Sequence, residues 1–346
     1  MAKKPLHPLY LRGNFSPVQT VTLACHAMAT RFEFVLQGDD ATALRAAGEE
    51  AIREIERLEA QISIYRPASE LSQLNARAAY EPVRVEPRLF KLLQRARQMA
   101  EETEGAFDIT VAPLMRCWGL MQKEGRVPSA DELLTAKACT GWQHLLLDEN
   151  NFTVRFAMKG LMLDLGSIGK GYALDEAADI LRETGVTSAL LHGGTSTIYA
   201  LGHPHGASAW TIALADPQIE GARFIATGSE EIRSRFTPLA NVALCDESLS
   251  VSAVWGKSFS TNGKTYGHVI DPRLGEPVDG ALMSACVLPS ATETDALSTA
   301  LLVGGVKEWE KFSTLRQGMR SLVVGRSEDD LLPEVRALGI SPRERD

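Results

Sequence analysis

The sequence predicts an α+β fold, mostly antiparallel sheet packed with helices, and three observations carry that prediction. Apolar residues recur at three- and four-residue spacing in separate stretches, the signature of helices with one buried face. Short runs rich in β-branched and aromatic residues, bounded by turn residues, recur between them. The two kinds of segment do not alternate strictly, as a parallel βαβ sheet would require.

Residues 1–17 hold three prolines and little periodicity, which predicts an extended arm ahead of a single domain over 18–346. Residues 18–37 read as a strand, and Gly38, Asp39 and Asp40 as a turn and helix start. Leu44, Ala47, Ala51, Ile55 and Leu58 then line one helical face. The segment ISIYRPASELSQLN, broken by Pro67, predicts a loop with a short helix. A second helix opens at Pro87, a favoured first-turn residue, buries Leu89, Leu93, Ala96 and Ala100, and stops at Gly105. GAFDITVAPLM reads as a loop with a short extended segment, and 120–140 as a polar insertion with a short helix.

Three strand-like runs follow: HLLLD, FTVRFAM and LMLDLG. The next helix covers 171–184, with Gly185 as its C-terminal stop. SALLHGG, TIYALG, WTIALAD, VALCDESLSVSA and GHVIDP predict further strands. A last functional helix runs from Thr294 to about Val303, and the tail holds one strand and a polar end. The length of 346 residues suits one large domain or two intertwined halves.

Composition narrows the function classes. Apolar residues at 45% and charged residues at 23% are those of a globular chain with a sizeable core. A net charge of −8 without a Lys/Arg run argues against nucleic acid, whose phosphates demand a concentrated basic surface. Cys25, Cys117, Cys139, Cys245 and Cys286 are odd in number and widely spaced, so buried free thiols are expected in place of disulfides or a zinc site. No run approaches the roughly 20 apolar residues of a membrane span, and no secretory core follows Lys3 and Lys4. As written, the chain is expected to be cytoplasmic. GxSxG, HExxH and GxGxxG are absent, which removes the usual support for hydrolase-triad, zincin and Rossmann readings.

Three segments carry possible chemistry. In LMLDLGSIGKGYALD (161–175), Gly166, Gly169 and Gly171 surround Lys170 where a strand passes into a helix. Exposed N–H groups at a helix start favour an anion, and Lys170 adds a charge for a phosphate. A plain glycine-rich turn explains the same pattern equally well. In TETDALSTALL (292–302), Asp295 and Thr299 are four apart, so a helix stacks a carboxylate above a hydroxyl. Such a pair suits a hard cation such as Mg²⁺, although an acid in a first helical turn already suits the dipole. In YGHVIDPRLGEPV (266–278), His268 precedes an Asp-Pro turn that Asp271 is placed to cap. Tyr65 in the IYRP loop, Asp108 in GAFD and the Gly193–Gly194 pair are lesser candidates.

In their order these segments resemble the ApbE-type FAD:protein FMN transferase family. The matching pieces are MATRFEF (28–34), SIYRPASELSQLN (63–75), GAFDITVAPL (105–114), DLGSIGKGYALD (164–175), LHGGTSTIYALG (191–202), GHVIDPRLGEP (267–277) and TDALSTALL (294–302). The resemblance implies an ApbE/T-fold-like architecture. It implies a metal, Mg²⁺, held by the carbonyl of Ser167 and the side chains of Asp295 and Thr299. It places FAD as substrate against Met28, Tyr65, Ala106, Phe107, Asp108, Asp164, Lys170 and Val269, with His268 and Lys170 as catalytic residues.

The implied reaction moves the FMN half of FAD to a Ser/Thr hydroxyl of an acceptor flavoprotein subunit and releases AMP. The family's Asp-x-x-(Ser/Thr)-Gly-Ala-(Ser/Thr) acceptor motif is absent here, so another protein is the expected acceptor. An FAD pyrophosphatase, giving FMN and AMP, and a non-catalytic flavin-binding protein are the alternatives. The sequence departs from the family pattern at Ala29, where Gly is frequent, at Gly267, where a second His is common, and at His192, where Asn often precedes the glycine pair. The last change raises the possibility that His192 lines the flavin or acceptor side. Family members are usually exported and lipid-anchored, which this N-terminus does not support.

Overall fold

The computed structural model describes residues 18–121, 124–217, 225–226, 238–254, 258–261, 263–326 and 333–343. The predicted arm over 1–17 lies outside them. The chain begins with two antiparallel strands, β1 (Gln19–Ala27) and β2 (Thr30–Gly38), followed by helix α1 (Ala41–Ile62) and the short α2 (Glu70–Arg77). The single strand expected over 18–37 is thus a hairpin. Met28 and Ala29 at its tip both have positive φ, 51° and 59°, as the tight turns that suit twisted strands require. Asp40 caps α1 as expected, accepting from the N–H groups of Thr42 (2.8 Å) and Ala43 (3.1 Å). The predicted face, Leu44 to Leu58, is buried.

A body of short elements follows: β3 (Val83–Arg84), α3 (Pro87–Glu102), α4 (Ala112–Cys117), α5 (Ala130–Ala138), β4 (Leu145–Asp148) and β5 (Thr153–Phe156). GAFDITVAPLM contains no strand; it turns tightly and enters α4, which Pro113 suits at a first-turn position. LMLDLG is likewise not a strand. Its backbone bonds go to side chains and loops: Leu163 exchanges two hydrogen bonds with Asn75, and the Asp164 N–H donates to Ile109.

Helix α6 (Gly169–Glu183) leads into β6 (Ser188–Gly193) and β7 (Thr197–Leu201), then β8 (Trp210–Leu214), β9 (Ile225–Ala226), β10 (Ala240–Leu244) and β11 (Glu247–Ala253). Gly185, at φ 85°, stops α6 where expected. The run VALCDESLSVSA is two strands, broken where Asp246 takes φ 53°. The chain ends with β12 (Ser258–Thr261), β13 (Lys264–Gly267), β14 (Ile270–Asp271), β15 (Glu276–Pro277), β16 (Ala281–Leu288), α7 (Ala291–Ser313), β17 (Arg320–Gly325) and β18 (Glu334–Leu338). Three expectations change here. His268 and Val269 form a bend between β13 and β14 and are not in a strand. Helix α7 runs ten residues past Val303, through a kink at Gly305, and the tail holds two strands.

Eight strands make one antiparallel sheet in the order β1-β2-β6-β7-β11-β16-β17-β18. One face carries Phe32, Phe34, Leu36, Leu191 and Tyr199 against α1 and α6. The other carries Leu190, Ile198, Leu249, Met283 and Leu322 against the small β10-β8-β9 sheet. Helix α7 packs into a third cluster, where its Leu297, Leu301 and Phe312 meet Phe90, Leu93 and Phe107 of the short-element body. The expected α+β, mostly antiparallel class is the observed one.

Cys117 and Cys286 are buried, but Cys25 and Cys139 are only partly so and Cys245 is exposed; all five are free. The expectation of buried thiols therefore holds for two. Among the described residues no helix is long and apolar enough to cross a membrane.

Candidate active site

The Lys170 turn and the Asp295 helix meet. The turn after Asp164 closes when the Ile168 and Gly169 N–H groups both donate to the Leu165 carbonyl (3.2 and 2.7 Å), and α6 starts at once. Lys170 folds back so that its Nζ lies 3.2 Å from the Gly166 carbonyl oxygen and 3.1 and 3.3 Å from the two oxygens of Asp295. The Gly171 N–H donates to Asp295 Oδ2 (3.0 Å), and the Thr197 hydroxyl to Oδ1 (3.2 Å). Asp295 is 4% exposed, so this buried carboxylate is held by a cation, an amide and a hydroxyl, as a buried charge requires.

Gly171 is what permits the approach. A Cβ there would sit 2.0 Å from the Ala291 carbonyl oxygen and 2.9 Å from Asp295 Cβ, and the helix backbone cannot yield. Thr299 lies one turn beyond Asp295, its hydroxyl bonded to the Asp295 carbonyl (3.2 Å) and 3.4 Å from the Ser252 hydroxyl of β11. Ser167, in the turn, and Thr299 are both partly exposed.

Of the other predicted residues, Asp164 opens the glycine turn itself, and Ala106, Phe107 and Val269 pack in the cluster that α7 completes. The Met28 N–H donates to Glu59 (2.8 Å), and Arg66 bonds the other oxygen of the same carboxylate, so Glu59 ties the hairpin tip to the IYRP loop. Tyr65 is 69% exposed, and its phenol is held above its usual pKa by local burial and by the nearby charge of Asp164. Asp164 itself bonds the Gly166 N–H (2.8 Å) and is partly buried.

Ala106, Phe107 and Asp108 are buried. Asp108 accepts from the Thr110 N–H and hydroxyl (2.8 and 2.7 Å) and from the Trp142 N–H (2.8 Å), so its carboxylate already has a structural duty. Burial pushes its pKa up, opposed by those three bonds. His268 and Val269 are half-buried. Their loop is pinned by Arg273, which pairs with Asp271 (2.9 Å) and with Glu308 of α7 (2.8 Å) and lies against the Gly105 position. Asp271 caps the turn as expected, accepting from the Arg273 N–H (2.9 Å).

His192 does not line this side. It stands opposite Glu33 and Ile198 in the sheet, and strand alternation puts it on the Leu190 face, turned away from α6 and α7. Sequence reasoning missed Thr197, Asp175 and Ser252. Thr197 lies in the quoted LHGGTST run and Asp175 in the glycine-loop segment, but only the folded sheet brings them to α7.

The oxygens near Lys170 fit a small divalent cation. One carboxylate, one hydroxyl and turn carbonyls are all hard donors, and the Lys170 ammonium shows that a positive charge is stabilised between the Gly166 carbonyl and Asp295. Among the described residues no group of three His, Cys, Asp or Glu side chains forms a closed metal cage. One carboxylate with neutral oxygens is the open set that Mg²⁺ uses when substrate phosphates complete its shell.

A glycine turn bearing a lysine, joined to a buried carboxylate on an antiparallel α+β scaffold, defines the class: the chain belongs to the ApbE family, whose profile matches residues 28–323. It is 30% identical over 302 residues to an FAD:protein FMN transferase of Vibrio cholerae, covering 86% of this chain and 85% of that one. It is 28% identical over 289 residues to one of Klebsiella pneumoniae, covering 83% and 85%. The solved ApbE protein of Thermotoga maritima superposes with a TM-score of 0.80 at 27% identity, covering 93% of this chain and 97% of that one. The apo flavinyl transferase ApbE of Pseudomonas stutzeri gives 0.77 at 28% identity, covering 93% and 95%.

Proposed function

We propose that this protein transfers the FMN moiety of FAD to a Ser/Thr hydroxyl of an acceptor protein and releases AMP. The meeting of Lys170 and Asp295 across a glycine turn carries the reading, and the relatives' activity as FAD:protein FMN transferases supports it. The acceptor oxygen forms a bond to the FMN phosphorus, the anhydride bond to AMP breaks, and the hydroxyl proton is lost. Such phosphoryl-type transfers depend on positioning and charge neutralisation.

In this reading Ser167, by its carbonyl, and Asp295 and Thr299, by their side chains, hold Mg²⁺. When bound, the ion supplies charge neutralisation at the phosphate oxygens and at the departing AMP. Lys170, at the positive end of the α6 dipole, binds the remaining diphosphate charge. Met28, Tyr65, Asp164 and Val269 border FAD, and the buried Ala106–Asp108 turn shapes its seat. His268 accepts the acceptor proton, a role typically worth about a hundred- to ten-thousand-fold.

The test is incubation with FAD, Mg²⁺ and a fragment bearing the acceptor motif. A fluorescent protein band with stoichiometric AMP is expected. AMP and FMN without a labelled band would make the protein a pyrophosphatase, and intact FAD a binder. Asp295→Asn should lower the rate at least about a hundredfold, because it weakens the metal and leaves Lys170 without its counter-charge. An unchanged rate in that variant would remove the metal from the mechanism.

A further inference from the structure

The mechanism above does not use Asp175, yet this side chain is partly buried and makes four hydrogen bonds. It stands on α6, four residues after Gly171, and reaches the first turn of α7. Oδ1 accepts from the Ala291 N–H (2.7 Å); Oδ2 accepts from the Thr292 N–H (2.9 Å), the Thr292 hydroxyl (2.7 Å) and the Ser290 hydroxyl (2.8 Å). These donors are neutral. The charge is offset by the orphan N–H groups and dipole of a helix start. Burial still raises the pKa of this carboxyl. Helix α7 also has its own cap, because the Ser290 hydroxyl accepts from the Glu293 N–H (3.3 Å). Capping alone therefore does not require Asp175.

The two helices are stitched at two levels. Gly171 and Lys170 hold Asp295, and Asp175 holds residues 290–292, so the contacts step back along α7 as they step forward along α6. Two fixed points set an axial register. A slip of one residue along α7 would shift Asp295 by about 1.5 Å and turn it by about 100°, taking it away from the Lys170 turn.

We propose that Asp175 is a positioning residue: by clamping the first turn of α7 it sets where Asp295 and Thr299 stand relative to the glycine turn, and so the affinity of the metal site. The proposal rests on the metal reading given above. Asp175 does not touch the reacting atoms. Its role resembles that of partners that orient metal ligands, whose loss typically costs about ten- to a hundredfold in metal affinity or activity.

The test is Mn²⁺ binding to the full-length protein, read from the free-ion signal in electron paramagnetic resonance, alone and with FAD. Asp175→Asn keeps the shape but turns an NH₂ toward donors. Thr292→Val cuts the clamp from the α7 side, should the first variant not fold. Asp175→Asn should raise the Mn²⁺ Kd by about ten- to a hundredfold, and Thr292→Val should raise it less, in the same direction. In the transfer assay the variants should show a raised KM for Mg²⁺ with kcat near wild type once Mg²⁺ saturates. A lowered kcat with unchanged Mg²⁺ KM would mark Asp175 as structural only and overturn the proposal. So would wild-type Mn²⁺ affinity in both variants while the wild type binds the ion. A wild-type protein that binds no Mn²⁺ in either condition would remove the metal reading itself, and this inference with it.

Discussion

At Ala29 the backbone has φ 59°, a left-handed conformation that costs a residue with a Cβ about 1–2 kcal/mol. Glycine, frequent in the family at this place, adopts it freely. Ala29→Gly should therefore stabilise the protein by up to about 1 kcal/mol, less than the relief because glycine also gains freedom when unfolded. Chemical denaturation checks this, and a lower midpoint in the variant would refute it.

His192 offers a second test at this scale. Its burial depresses the imidazole pKa to about 4. The folded state thus favours the neutral ring. Its stability contribution is complete above the unfolded pKa of about 6.5 and falls as pH drops from there toward 4, because only the unfolded chain takes up the proton in that window. On the order of 2 kcal/mol should be lost at pH 5 relative to pH 7. His192→Asn should flatten that part of the profile, and parallel profiles for both proteins would contradict the assignment.

Among the elements, α7 shows how far periodicity reads. Asp295 and Thr299 at four-residue spacing were legible as one helical face, and they are one. The extension beyond Val303 passes through Gly304 and Gly305, residues that disfavour a helix interior. Gly305 takes φ 58°, kinks the helix and lets it resume, with Glu308 pairing to Arg273 and Trp309 bonding Ser321. LMLDLG misled in the opposite sense. Its alternation suits a strand, but Leu163 and Asp164 find hydrogen-bond partners in Asn75 and Ile109, so no ladder forms. The hairpin in β1 and β2 was missed because Met28 and Ala29 are not residues that ordinarily signal a tight turn.

Across the whole molecule, α7 joins what the chain order separates. Its Ala296, Leu297, Leu301 and Phe312 share a cluster with Phe90, Phe107 and Leu145 of the short-element body and with Cys286 and Val323 of the main sheet. Glu293 binds Arg95 of α3 and Arg316 beyond the helix, and Arg316 also holds Glu102. The largest core cluster of the short-element body is thus completed by α7 and the main sheet. Unfolding by denaturant should therefore be a single transition, with near- and far-ultraviolet circular dichroism changing together. Two separated transitions would show that the body of short elements folds alone.

By itself the sequence determined the fold class, the principal amphipathic helices, the glycine turn around Lys170 and the Asp295–Thr299 face. Each of these rests on residue spacing within one segment, and local geometry follows from spacing. Tertiary structure alone decided that Lys170 reaches Asp295 across 125 positions of chain, that Gly171 is needed for that approach, that Asp175 clamps α7, and that His192 faces the other way. Those facts depend on which helix face meets which sheet face, and the free energy that selects the pairing is spread over a buried core no single segment contains.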